Sequence, residues 1–68
     1  MNEEVFNLGV RKFLKQFGVT AQREMEKAVD DAIGGGKLSG SETLKARATV
    51  AIDGLPMKVV IEGDIPLA

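Results

Sequence analysis

Sixty-eight residues with nine Lys/Arg, ten Asp/Glu and neither Cys nor His describe one domain at the lower edge of what folds unaided. Disulfide staples, thiolate metal cages and Ser-His or Cys-His catalytic pairs are excluded, and a formal charge of −1 speaks against a dedicated nucleic-acid binder. No apolar run approaches the roughly 18 residues of a membrane span, and Asn2-Glu3-Glu4 is unlike the basic start of a secretory signal, so the expectation is a cytoplasmic protein without a membrane partner.

Asn2 is a good helix N-cap, and Glu3 and Glu4 place negative charge in the first turn, where the helix dipole favours it. Phe6, Val10, Phe13, Leu14 and Phe17 recur at helical spacing. Gly18 reads as a left-handed stop with Val19 returning to Leu14, a Schellman pattern, which predicts a first helix over residues 3–17. Thr20 reads as the cap of a second helix over residues 21–33, with Ala21, Met25, Ala28, Val29, Ala32 and Ile33 on its inner face. Its outer face mixes Arg23 and Lys27 with Glu24, Glu26, Asp30 and Asp31, the pattern of a solvated surface rather than a metal site. With so short a joint, the two helices form a tight αα-hairpin.

Residues 34–42 read as a glycine-rich linker. A phosphate-binding P-loop needs GxxxxGK followed by Ser or Thr, between a strand and a helix. Here Gly36-Lys37 is followed by Leu38, and the helix precedes while the strand follows. Spacing and context both fail.

From Thr43 the apolar period becomes alternating, predicting a strand over residues 43–52, a type I′ turn at Asp53-Gly54, a strand over 55–62 and a tail over 63–68. This turn pairs Ile52 with Leu55, Val50 with Met57, Ala48 with Val59 and Ala46 with Ile61. On the other face it sets Lys45 against Glu62 and Thr49 against Lys58. Pro56 marks a free edge on the second strand, and Gly63 and Pro66 suggest that pairing fades toward the C-terminus. Two strands alone are marginal, so the expected architecture is a single α+β domain, ααββ, with the helices packed on one face of the two-stranded sheet.

Three features bear on function. The helix–Gly–helix run resembles a helix-turn-helix, but its second helix carries four acids against two bases, which repels phosphate. Lys45, Arg47 and Lys58 on the outer hairpin face form the alternative, a weak nucleic-acid contact. Val5 and Leu8 lie off the Phe stripe as a candidate protein-contact patch, and the first strand, with Lys45 and Arg47, offers an edge to a partner or a second copy. No catalytic residue, cofactor, metal or small-molecule site is expected. The function expected is therefore a non-catalytic protein-interaction module, with homodimerisation one form of it.

The opening MNEEVFN, the run RKFLKQFGVTAQREMEKAV and the segment ETLKARATVAIDGL resemble a family of small uncharacterised bacterial proteins of about this length, a domain of unknown function. That resemblance implies a bacterial, free-standing, cytoplasmic protein and assigns no functional residues.

Overall fold

A computed structural model describes all 68 residues. The chain is one long helix followed by an antiparallel hairpin: α1 over Glu3–Gly34, β1 over Thr43–Ala51 and β2 over Lys58–Pro66. Its contacts divide it into two units, Met1–Lys37 and Leu38–Ala68.

The first unit corrects the expected two-helix hairpin. Asn2 caps as read, its Oδ1 accepting the Val5 N–H at 3.1 Å. The helix then runs unbroken through Gly18 and Thr20 for 32 residues, about 48 Å at 1.5 Å per residue. Gly18 permits a left-handed stop but does not compel one, and it keeps a negative φ; the positive-φ glycines are Gly36, Gly40 and Gly54. Stopping at Phe17 and restarting at Ala21 would orphan up to four carbonyls and four N–H groups, against about 1 kcal/mol for a helical glycine. The apolar pattern also stays in phase across the joint, because Phe17 and Ala21 are separated by i,i+4. Eleven-residue repeats, Phe6–Phe17–Ala28 and Val10–Ala21–Ala32, hold the stripe nearly parallel to the axis.

The Schellman closure expected at Gly18 is found instead at the end of the single helix. Gly35 is the C-cap and Gly36, at φ 78°, is the left-handed residue after it. The Gly36 N–H donates to the Ile33 carbonyl at 3.1 Å and the Lys37 N–H to the Ala32 carbonyl at 2.8 Å, the paired bonds that define this motif.

In the second unit the two faces are as expected but the register is not. Val50 pairs with Val59, Ala48 with Ile61, Ala46 with Gly63 and Leu44 with Ile65, a slip of two residues from the predicted pairing. An even slip preserves which side chains share a face. The turn explains it. Asp53 does not adopt the positive φ that type I′ requires, whereas Gly54 does, at φ 85°, and Leu55 N–H closes on the Ile52 carbonyl at 3.2 Å. That is the geometry of a type II turn, which does not match strand twist, so residues 52–57 form the connection. Pro56 falls inside this loop instead of marking a strand edge. The shifted register sets Lys45 against Asp64 and Arg47 against Glu62, two opposite-charge pairs in place of one.

Pairing does not fade after Gly63. β2 continues to Pro66 opposite Thr43, and the Leu67 N–H donates to the Glu42 carbonyl at 2.9 Å. Because hydrogen-bonded and non-hydrogen-bonded pairs alternate, Pro66 falls at a non-bonded pair, where its missing N–H breaks no rung.

No residue of either unit is buried. Within each unit the largest apolar side chains remain in contact with solvent.

Candidate functional site

The principal candidate is the stripe along α1. Phe6 is 50 % exposed, Phe13 54 %, Leu14 48 % and Phe17 40 %. Val10 and Met25 are also exposed, while Ala21 and Ala32 on the same line are half-buried. The sequence reading assigned these residues to a core; the structure leaves them as surface. The signal that identifies them is already in the sequence, since positions 6, 10, 13 and 17 continue into 21, 25, 28 and 32 without a change of face. At 100° per residue these eight positions stay within about a third of the helix circumference.

Val5 and Leu8, the predicted contact patch, are exposed at 67 % and 54 %. They stand three residues apart on one side of α1, away from the phenylalanines.

On the hairpin, Lys45, Arg47 and Lys58 share the outer face with Glu62 and Asp64. Arg47 Nε lies 3.2 Å from Glu62 Oε1, and Lys45 stands opposite Asp64 while Lys58 stands opposite Ala51. A shallow hollow over Gly63 is lined by Lys45, Ala46, Arg47, Glu62 and Asp64. The face that looked basic in sequence is therefore a mixed lattice of bases and acids, with Lys45 and Arg47 answered across the ladder and Lys58 opposite an alanine. An exposed pair of this kind contributes about 0–1 kcal/mol.

The start of the second unit contains a clamp that composition does not reveal. The Glu42 carboxylate accepts the Ser39 N–H at 2.9 and 3.1 Å, the Gly40 N–H at 3.0 Å, the Ser41 N–H at 3.2 Å and the Ser39 hydroxyl at 3.0 Å. Gly40, at φ 99°, turns successive N–H groups toward one point, the arrangement that cradles anions. The loop's anion-binding donors are thus occupied by its own carboxylate. Ser39-x-x-Glu42 has the spacing of a capping box, the one sequence signal for this contact.

Chiefly the Ser39 N–H, joined by Glu42's own N–H, the Ser39 hydroxyl and the Gly40 N–H, pulls the Glu42 pKa down to about 2, against a smaller opposing effect of desolvation. A carboxyl depressed in the folded state stabilises its fold above the unfolded pKa and loses that contribution as pH falls toward the folded one. The clamp is accordingly expected to be intact above about pH 4.5 and to open between there and about pH 2. A carbon-detected NMR titration of the Glu42 side-chain carboxyl should give a midpoint near 2, with the Ser39, Gly40 and Ser41 amide shifts moving together. A midpoint in the ordinary glutamate range would show the clamp to be unpopulated.

No group of three or more acidic side chains converges closely enough to hold a metal ion, and no helix is long and apolar enough to cross a membrane.

Comparison with known proteins adds one finding. No curated protein and no solved structure matches the chain. Residues 1–68 match a family described as "Family of unknown function (DUF6494)". The match spans the full sequence and agrees with the resemblance carried by the MNEEVFN opening, so the chain belongs to the DUF6494 family, a family of unknown function.

Proposed function

We propose that this protein is a non-catalytic association module whose α1 stripe docks against a protein surface. The observation that supports this reading is the exposure of Phe6, Phe13 and Phe17 on one line of a regular helix. Contiguous apolar surface of this kind on a small chain marks an interaction site, and aromatic anchors are the residues that dominate interface energies. The resemblance noted above adds a bacterial cytoplasm as the proposed setting. The alternative nucleic-acid contact through Lys45, Arg47 and Lys58 is weakened by Glu62 and Asp64 on the same face, which oppose phosphate.

The test is site-specific photo-crosslinking in cells expressing the full chain. p-Benzoyl-phenylalanine replaces Phe13 in one strain and Leu8, on the far side of the helix, in another. A discrete protein adduct through position 13 that is absent or much weaker through position 8 is expected. Absence of any adduct at position 13 overturns the docking reading. Equal labelling from both positions does so as well, because it denotes non-specific encounter.

A further inference from the structure

We infer that the occupant of the stripe is a second copy of the same helix, packed antiparallel about a two-fold axis level with Val19. The inference rests on the stripe being a docking surface, and it adds the identity and direction of the partner.

The stripe is a palindrome in position. Residues 6, 10, 13 and 17 are mirrored about residue 19 by residues 32, 28, 25 and 21. An antiparallel copy therefore brings Phe6 level with Ala32, Val10 with Ala28, Phe13 with Met25 and Phe17 with Ala21. Every stripe residue meets another stripe residue. The eight positions extend over about 39 Å of axis at 1.5 Å per residue. A two-fold interface requires this self-complementarity, because one patch serves both partners.

Side-chain size makes the same choice of direction. The phenylalanines all lie in the N-terminal half of the stripe and the alanines in the C-terminal half. Antiparallel pairing sets large against small at three of the four levels and Phe against flexible Met at the fourth, so the axes keep an even separation. Parallel pairing in register would oppose Phe to Phe at one end and Ala to Ala at the other, forcing the axes apart or leaving voids.

Charge agrees. Between Val5 and Val19 the helix has three bases, Arg11, Lys12 and Lys15, and no acid; between Thr20 and Gly34 it has four acids and two bases. Antiparallel packing lays the basic half beside the acidic half, and parallel packing lays like beside like. Only Arg11 on one edge of the seam, and Glu24, Lys27 and Asp31 on the other, flank the stripe; Lys12, Lys15, Arg23 and Glu26 face outward, so the preference comes from the net charge of the two halves and not from close ion pairs. The arrangement also gives a reason for Asp31, which opposes the dipole of its own helix end: it falls beside the N-terminal half of the second copy. The eleven-residue repeat keeps the seam nearly straight, so both copies remain in contact over its length.

The test uses the full chain and needs no variant for its first reading. Sedimentation equilibrium over a range of concentrations is expected to reach twice the 7.3 kDa chain mass. In a chain carrying Val10→Cys and Ala28→Cys, mild oxidation is expected to join position 10 of one copy to position 28 of the other, read by peptide mass spectrometry on the dimer band. Within one helix these residues stand eighteen apart, about 27 Å along the axis, so that bond forms only between copies. Phe17→Asp should weaken the dimer at least about 100-fold, while Leu8→Glu, on the opposite side, should leave it unchanged. A monomer at all concentrations overturns the self-pairing. If position 13 then still yields a discrete adduct of another mass in cells, the docking reading stands and only the identity of the occupant fails; with no adduct, both fail. A dimer lacking the bond between positions 10 and 28, or one insensitive to Phe17→Asp, overturns the antiparallel seam.

Discussion

Val19→Pro is expected to destabilise the helical unit by about 3 kcal/mol or more, with far-ultraviolet circular dichroism showing loss of helix at a fixed protein concentration. In a continuous helix the Val19 N–H serves the Lys15 carbonyl four residues back, and a proline ring there removes that bond and clashes with the same carbonyl. In a two-helix turn, position 19 would be the second residue beyond a helix stop, immediately before a Thr20 cap, where proline is common. The substitution thus separates the two architectures by sign as well as size. Val19 is 53 % exposed and lies on the side of α1 away from the Phe stripe, so the effect reports the backbone rather than a lost docking contact. Unchanged or raised stability in this variant would restore a break at Gly18.

That same joint shows where local reading of this chain stops being sufficient. Gly18-Val19-Thr20 satisfies the rules for a stop followed by a start, and each residue is also tolerated inside a helix. The deciding information is not in those three residues but in the phase of Phe17 with Ala21 and of Val10 with Ala21 and Ala32, which a break would have no reason to preserve. Reading each half separately recovers the apolar faces correctly and misses that they are one face. By contrast, Asn2 was legible because capping is a local event: one side-chain oxygen meets an N–H three residues on.

The hairpin divides along similar lines. Which residues share a face follows from a period of two and survives any even slip, so Leu44, Ala46, Ala48 and Val50 were assignable from sequence. The pairing itself depended on the turn, and Asp53-Gly54 supports more than one turn type with one positive φ or two. Pro56, which lacks the N–H for a ladder bond, Lys45 with Asp64, and Leu44 with Ile65 all favour the register observed. These preferences act at a distance from the turn, and Asp-Gly alone does not express them. The candidate site was legible in its residues and not in its status. Phe6, Phe13 and Phe17 announce burial in any reading; only the structure of the chain shows that no other part of the same unit covers them.

The end of α1 offers a second large effect, in which two neighbouring glycines respond with opposite sign. Gly36→Ala is expected to cost about 1–2 kcal/mol, because a Cβ in the left-handed region meets the adjacent carbonyl, and Gly36 sits there at φ 78°. Gly34→Ala is expected to stabilise by about 0.5–1 kcal/mol, because Gly34 is the last helical residue and alanine there loses less backbone freedom on folding. Space beyond the local backbone does not distinguish them: apart from the adjacent residues and, at Gly34, the helix's own backbone, a Cβ at either position meets nothing within 4 Å. The difference rests on backbone conformation alone, through the paired bonds from Gly36 N–H to the Ile33 carbonyl and from Lys37 N–H to the Ala32 carbonyl. Thermal melts of the two variants at matched concentration should move in opposite directions. If Gly36→Ala melts no lower than the parent chain, the left-handed closure is not what ends this helix, and α1 would extend into Gly35, Gly36 and Lys37.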